Sequence, residues 1–166
     1  MRQSLAIQEN IVLPGDTNAH DTLFGGLLMK RIDETAAISA RRHCHGSVVT
    51  ASNDGVHFHL PIQNNDIVIL ESYVCSVGTS SMEVFVKILT EDRKGDASRQ
   101  IAAISFLTFV ALGADGKPTE VPDVIPESEE EHLLFRDRAI RKDARLKKRE
   151  ETNALIRYLS NERRIS

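Results

Sequence analysis

The predicted order of secondary-structure elements restricts the fold more than any other feature of this sequence. Residues 24–44 contain helix-forming residues and no proline, and Gly46 follows as a plausible stop for a helix. Four segments rich in alternating or β-branched residues then follow one another without an intervening helix. Strands in direct succession favour antiparallel pairing, so we predict an α+β domain with one long helix on one face of an antiparallel sheet.

The predicted strands are bounded by turn residues. A short first strand is predicted at residues 7–13, before the turn signal Pro14-Gly15. The sequence DRKGDAS, residues 92–98, connects the last two strands. The four strands after the helix are predicted at 47–60, 66–77, 81–91 and 99–112.

A charged segment follows Pro126. Ser128 and Glu131 have the spacing of a capping box, and acidic residues at its start precede a basic run at 136–149, which complements a helix dipole. We predict one exposed helix that frays toward the C-terminus. The basic run could contact phosphates, although a solvated helix face is the more common meaning of such a run. The predicted division is a folded domain at 1–125 and a charged helical extension at 126–166.

Composition excludes several classes of protein. The 166-residue chain has a formal net charge of −3 and no Trp, which argues against nucleic-acid binding by the whole surface. The two cysteines, Cys44 and Cys75, form no C-x-x-C pair and suggest a reducing compartment. No signal peptide is evident, and no apolar run approaches the roughly 20 residues of a membrane-spanning helix. We therefore predict a cytoplasmic protein without a membrane or nucleic-acid partner.

Asp33 occupies an unexpected position on the predicted helix. Projection at about 100° per residue places its carboxylate inside the apolar sector, between Ala40 and Gly26. Burying a carboxylate is costly unless it is paired or hydrogen-bonded. Asp33 is therefore either a general base or a residue bonded to a neighbouring strand, and the sequence leaves both open. The predicted water face holds Lys30, Arg31, Glu34, Arg41 and Arg42, and the predicted apolar face holds Leu28, Met29, Ile32, Ala36, Ala37 and Ala40.

Three further groups are candidates for binding. Gly25 and Gly26 open the helix, where free N–H groups can attract developing negative charge or where the chain simply makes a tight turn. Asn18 lies seven residues before Gly25 and can cap a turn in the loop. The GTSS sequence at 78–81 offers hydroxyl groups to a ligand, or forms a turn between strands.

The histidines and cysteines do not form a recognised metal motif. His57 and His59 share one face of a strand, and His43, Cys44 and His45 lie together near the end of the helix. No further ligand lies at a recognised spacing, and basic residues at a helix C-terminus have a simpler explanation in the helix dipole. We therefore predict no metal site. The G-x-S-x-G elbow of serine hydrolases and both common phosphate loops are also missing from the sequence.

Several sequence pieces together resemble the hotdog-fold acyl-CoA thioesterases, specifically the cytosolic (brain-type) acyl-CoA hydrolase family in a bacterial single-domain form. They occur in the family's order and cover most of residues 8–145. The pieces are N-x-x-x-x-x-F-G-G-x-x-M-x-x-x-D-E (18–34), ARRHC (40–44), VVTAS-x-D-x-x-x-F (48–58), SMEV (81–84), FLTFVAL (106–112) and GKPTEVPDVIPESEEE (116–131).

The resemblance implies a hotdog fold, in which the sheet wraps around a long central helix. Two such units would pair into one continuous sheet, and three pairs would assemble as a hexamer. Acyl-CoA would bind between paired units and be hydrolysed to a fatty acid and CoA without a metal or another cofactor. The alternative is a non-catalytic acyl-CoA binder of the same fold, against which the presence of both Asp33 and Asn18 argues.

The resemblance also implies roles for individual residues. Asp33 would activate water or form a covalent acyl intermediate, and Asn18 of the other subunit would position the water or the thioester. The N–H of Gly26, with that of Gly25, would bind the oxyanion. The further residues expected to contact substrate or CoA are Phe24, Met29, Asp54, Thr79, Ser80 and Ser81.

Two positions depart from the family pattern. Asp54-Gly55 is a hairpin signal by local rules, whereas the family's strand continues through it, so we expect either a continuous strand or a bulge. The GTSS sequence lacks the basic residue of the family's GRTS-like junction. The resemblance therefore assigns no residue to the phosphates of CoA.

Overall fold

Five antiparallel strands form one sheet in the computed structural model, which describes residues 1–91 and 98–162. All four neighbouring strand pairs are antiparallel, in the order β1-β3-β4-β5-β2. The predicted connection at 92–98 lies outside the described residues, except for Ser98. The strands are β1 (Ala6–Ile11), β2 (Ser47–Phe58), β3 (Ile67–Val77), β4 (Ser81–Glu91) and β5 (Arg99–Leu112). The predicted α+β class is confirmed.

The long helix α1 (Gly25–Cys44) packs against one face of this sheet. It begins after Phe24, which is extended, and ends at His45 in the left-handed conformation. Its sheet-facing side buries Leu28 and Ile32, and burial of such side chains contributes about 1.5–3 kcal/mol each. The predicted bounds of this helix are thus correct to one residue.

The buried face of α1 includes two small polar residues but not Met29, which the helical projection places on the apolar face. Met29 is 48% exposed, whereas Thr35 and Ser39 are fully buried. Their hydroxyl groups have partners, since Thr35 Oγ1 donates to Gln8 Oε1 at 2.7 Å and Ser39 Oγ donates to the Ser72 carbonyl oxygen at 2.9 Å. The hydrogen bonds offset the free energy of desolvating these hydroxyl groups, so both residues can be buried. The projection considered only apolar residues for the buried face and therefore missed Thr35 and Ser39.

The strand β2 continues through Asp54-Gly55 with a bulge. Its register with β5 shifts between Asn53 and Val56, and Gly55 has a φ of 112°. The N–H of Gly55 donates to Asn53 Oδ1 at 2.9 Å. The local turn tendency is therefore expressed as an irregularity within a strand, because pairing with β5 resumes on both sides of it.

The chain separates into two compact units, Met1–Glu127 and Ser128–Ser166. The second unit contains α2 (Glu129–Arg136) and α3 (Arg138–Glu162), and the predicted capping box of Ser128 is present. The prediction of one helix is wrong, since Asp137 adopts φ −90° and ψ 7° between them. Arg136 donates two hydrogen bonds to the Asp137 side chain, and these hold the pKa of that carboxyl below its usual value. Aspartate weakens a helix interior because its side chain competes for local hydrogen bonds.

Among the described residues, no helix combines the length and the apolar character that a membrane span requires.

Candidate active site

Asp33 lies where α1 passes β2, and it is half-buried. Thr50 of β2 donates its hydroxyl hydrogen to Asp33 Oδ1 at 2.9 Å. In the described part of the chain, Oδ2 of Asp33 has no hydrogen-bond partner. The carboxylate is thus held in place through one oxygen, while the other can accept a proton from a water molecule.

The first turn of α1 carries unused hydrogen-bond donors. The first N–H bonded within the helix is that of Leu28, which donates to the Phe24 carbonyl oxygen at 3.1 Å. Phe24 provides no side-chain cap. Within residues 1–91 and 98–162, the N–H groups of Gly25, Gly26 and Leu27 therefore have no protein acceptor. Such groups, at the positive end of the helix dipole, bind negative charge.

Asp33 and Gly26 share one face of α1. They are seven residues apart, so they lie almost two full turns and about 10 Å apart along the axis. Side chains of a helix tilt toward its N-terminus, which brings the Asp33 carboxylate closer to the free N–H groups. A carboxylate and a set of free N–H donors thus stand on the same side of one helix.

Two exposed phenylalanine rings flank the glycine pair. A Cβ at Gly26 would lie 2.5 Å from Cε1 of Phe24, and a Cβ at Gly25 would lie 3.8 Å from Cζ of Phe58. In the single chain, Phe24 is 55% and Phe58 is 60% exposed. Together with the exposed Met29, they form an apolar surface beside the donors of the first turn. Phe58 ends the motif VVTAS-x-D-x-x-x-F, but no pattern in the sequence singled out its ring.

Asn18 is bonded within its own loop. Its Oδ1 accepts from the N–H of His20 at 2.8 Å, and its Nδ2 donates to Thr22 Oγ1 at 3.0 Å. In the described part of the molecule, no hydrogen bond joins Asn18 to Asp33. The single chain therefore does not bring these two candidates together. Beside this loop and the helix start is a surface depression of about 490 Å³, lined by Gly15, Asp16, Thr17, Phe24, Gly26, Leu27 and Lys30.

The GTSS sequence forms the turn between β3 and β4. The N–H of Gly78 donates to the Ser81 carbonyl oxygen at 2.8 Å. The carbonyl oxygen of Thr79 accepts from the N–H of Val121 at 3.1 Å, and that of Ser80 accepts from the N–H of Ala111 in β5 at 2.9 Å. These bonds account for a turn, and contact of Thr79, Ser80 and Ser81 with CoA stays a prediction. The same holds for Asp54, which is half-buried in the β2 bulge.

The described residues contain no group of three or more His, Cys, Asp and Glu side chains that could hold a metal ion. His43, one of the residues considered for such a site, instead bonds the Pro122 carbonyl oxygen through Nε2 at 2.7 Å.

Comparison with known proteins identifies the family. Residues 20–97 match the family model of the thioesterase superfamily. The uncharacterised acyl-CoA thioester hydrolase YkhA of Bacillus subtilis (strain 168) is 49% identical over 98% of this chain and 94% of its own length. The chain belongs to the thioesterase superfamily. The cytosolic acyl coenzyme A thioester hydrolase of Rattus norvegicus is 34% identical over 77% of this thioesterase, which spans only 34% of the rat protein.

Solved structures similar to this thioesterase confirm the predicted hotdog fold. An acyl-CoA hydrolase from Staphylococcus aureus, in complex with butyryl-CoA, CoA and CoA disulfide, has a TM-score of 0.93 and 44% identity, covering 96% of this chain and 97% of that one. Structures of the same enzyme with alanine in place of an aspartate, an asparagine or a threonine are also similar. An apo-hexameric acyl-CoA thioesterase has a TM-score of 0.85 and 41% identity, covering 89% and 94%.

Proposed function

We propose that this thioesterase hydrolyses acyl-CoA to a carboxylic acid and CoA, with Asp33 as the general base. The observation that carries the proposal is the half-buried Asp33 carboxylate on the same helix face as the free N–H groups of Gly25 and Gly26. The similar proteins from Bacillus subtilis and Staphylococcus aureus, which are acyl-CoA hydrolases by name, support the same substrate class. Membership of the thioesterase superfamily favours a hydrolase over a non-catalytic binder.

The proposed reaction needs one water molecule. Its oxygen attacks the thioester carbonyl carbon while Asp33 takes a proton from it. The carbonyl oxygen becomes negatively charged and is stabilised by the N–H of Gly26, with that of Gly25, at the helix N-terminus. When the tetrahedral intermediate collapses, the C–S bond breaks and the CoA thiolate leaves, taking up a proton. A covalent acyl–Asp33 intermediate is the alternative route through the same residue.

The spacing of three residues supports the assignment of Asn18, Asp33 and Thr50. In the Staphylococcus aureus hydrolase, the asparagine, aspartate and threonine replaced by alanine are 15 and 17 residues apart. Asn18, Asp33 and Thr50 have the same two separations in this chain. The hydrogen bond from Thr50 to Asp33 gives the threonine a physical role, namely orienting the base.

The proposed site combines two subunits. Asn18 of one subunit serves Asp33 of its partner, which fits the lack of a bond between them in the described chain. The partner would pair along β2, which lies at the edge of the described sheet, and cover the exposed apolar residues Met29, Val49 and Phe58. The hexameric relatives favour three such pairs in one assembly.

Several finer assignments belong to this proposal. The site lies in residues 1–125, and the charged extension at 126–166 is placed outside it. The reaction uses no metal and no cofactor besides the CoA of the substrate, and we assign it to the cytoplasm. Phe24 and Met29 would contact the acyl chain, and the candidate contacts of CoA are Asp54, Thr79, Ser80 and Ser81.

The direct test is thiol release from a panel of acyl-CoAs of increasing chain length. Wild-type protein is expected to release CoA from at least one of them, and the profile of kcat/KM would define the acyl preference. Saturable binding of acyl-CoA without thiol release across the panel would instead identify a binder.

Removing the Thr50 hydroxyl is expected to lower kcat/KM by about tenfold, the usual cost of one hydrogen bond to a charged group. Thr50→Val keeps the shape but loses the donor to Asp33. Thr50→Ser keeps the donor and serves as the control, with activity close to wild type. Equal activity of the two variants would show that the hydrogen bond does not support the reaction.

A methyl group at Gly26 is expected to lower kcat/KM by roughly tenfold to a hundredfold, since it displaces the Phe24 ring beside the proposed oxyanion donors. The comparison is Gly15→Ala, because a Cβ at Gly15 meets no atom within 4 Å. Both variants are assayed for thiol release and for oligomeric state. Wild-type kinetics of Gly26→Ala would mean that the ring's position over the first turn is irrelevant to the reaction.

A further inference from the structure

The loop that carries Asn18 is a small hairpin closed at its base by Asp16. The N–H of Phe24 donates to the Asp16 carbonyl oxygen at 2.8 Å, Thr17 forms a bridge with Leu23, and the N–H of Asn18 donates to the Thr22 carbonyl oxygen at 2.8 Å. Asn18 therefore stands two residues from the base of the hairpin. That base adjoins the first turn of α1, because Phe24 is the N-cap of the helix.

The Asp16 side chain ties this base to the second turn of α1. Its Oδ2 accepts from Nη2 of Arg31 at 3.1 Å and from the N–H of Leu13 at 3.3 Å. The Asp16 side chain is only 23% exposed and the Arg31 side chain only 12% exposed. The prediction that Arg31 faces water is thus wrong, because a carboxylate close to the helix neutralises its guanidinium group in a mostly buried position.

Among the described residues, Asp16 is the only side chain that pairs with the guanidinium group of Arg31. Its Nη1 is buried and has no hydrogen-bond partner among the described residues, so Asp16 is the group that neutralises it there. The far end of the hairpin is held by the segment after β2, since the N–H of Leu23 donates to the Ile62 carbonyl oxygen at 2.8 Å and Thr22 forms a bridge with Gln63. The base of the hairpin is joined to α1 by the Asp16–Arg31 ion pair and by the backbone bond at Phe24.

We infer that Asp16 and Arg31 are positioning residues, which act on the reaction by fixing where Asn18 is presented. This inference rests on the proposed role of Asn18 in acyl-CoA hydrolysis. Loss of the ion pair removes the side-chain link between the base of the hairpin and α1, and two residues further on the amide of Asn18 shifts relative to the helix start. A displacement of about 1 Å in a reacting constellation can cost on the order of a hundredfold in rate.

A double-mutant cycle between Asp16 and Asn18 tests the inference. Asp16→Asn keeps the size of the side chain and removes its charge, and is expected to lower kcat/KM by about a hundredfold. In the Asn18→Ala background the same change is expected to cost less than about twofold, because the group it positions is already gone. Losses that multiply in the double variant would overturn the inference while leaving the role of Asn18 intact.

The matched control is Glu71→Gln. Glu71 pairs with Lys87 at 3.3 Å, at side-chain exposures of 23% and 18%, on strands of the sheet and away from the hairpin. Its removal is expected to lower the melting temperature to an extent similar to Asp16→Asn, with kcat/KM within about twofold of wild type. If Asp16→Asn lowers only the melting temperature, its role is structural and the inference fails.

Conservative replacement of Arg31 gives a second readout. Arg31→Lys keeps the charge and is expected to retain at least about tenfold more activity than Arg31→Met, which leaves Asp16 without its partner. Equal activity of these two variants would overturn the inference. Wild-type activity of Asn18→Ala would instead refute the proposed role of Asn18, and absence of thiol release by wild type would refute the hydrolase itself.

Discussion

Replacement of Asp33 by alanine is expected to lower kcat for acyl-CoA hydrolysis by about 10²- to 10⁴-fold, the range typical of a lost general base. The thioester would still meet the N–H groups of the first turn of α1, so KM is expected to change much less than kcat. The measurement is steady-state thiol release at saturating acyl-CoA, together with the oligomeric state of the variant. Asp33→Asn should behave similarly, since an amide cannot take a proton from water.

Glu34 offers a control on the same helix turn. Among the residues that the structure describes, it forms only an exposed pair with Lys30 at 3.7 Å, so Glu34→Ala is expected to stay within about twofold of wild type. Residual activity of Asp33→Ala above about a tenth of wild type would be incompatible with a general base at this position. An acyl adduct on Asp33, detected by mass spectrometry of quenched wild-type reactions, would favour the covalent route.

Assemblies that mix Asn18→Ala and Asp33→Ala subunits are expected to recover about a quarter of wild-type activity, although each variant alone is nearly inactive. In a random one-to-one mixture, half of the pairs contain one subunit of each kind. In such a pair, one of the two sites receives an intact Asn18 from one subunit and an intact Asp33 from the other. The experiment co-expresses the two chains with different affinity tags and measures thiol release by the purified mixture.

The matched control mixes wild-type subunits with the double variant. If the site is shared, mixed pairs have no intact site, and about a quarter of the activity remains; if each chain builds its own site, about half remains. No recovery in the first mixture, with half the activity in the second, would place Asn18 and Asp33 of one site in the same chain.

The elements that sequence patterning predicted best are those whose pattern is set by local geometry. The strands β4 and β5 have the predicted bounds, and α1 differs by one residue, because alternation and helical periodicity are properties of neighbouring residues. The break at Asp137 was missed, since a single unfavourable residue within a strongly helical composition leaves no gap in the pattern. The bulge in β2 was predicted only in part. Asp54-Gly55 marked a local irregularity in the sequence, but whether it formed a turn or a bulge depended on pairing with β5.

The residues of the candidate site also differ in how far the sequence predicted their contacts. Helical projection singled out Asp33 because the anomaly lies within one helix. Thr50 was missed, since its bond to Asp33 depends on where α1 passes an edge strand. The ion pair of Arg31 with Asp16 was missed for the same reason, as it joins a loop to a helix. The proposed pairing of Asn18 with Asp33 would depend on a second chain, which periodicity within one chain does not describe.

The edge strand β2 also affects the fate of a subunit that lacks a partner. A free edge presents backbone N–H and C=O groups on which other exposed strands can add, and the exposed Val49 and Phe58 strengthen such mispairing. The bulge between Asn53 and Val56 interrupts this row of groups, so a regular strand cannot pair along its full length. The bulge is therefore expected to limit the addition of foreign strands to this edge, and so to lower the tendency of a free subunit to aggregate.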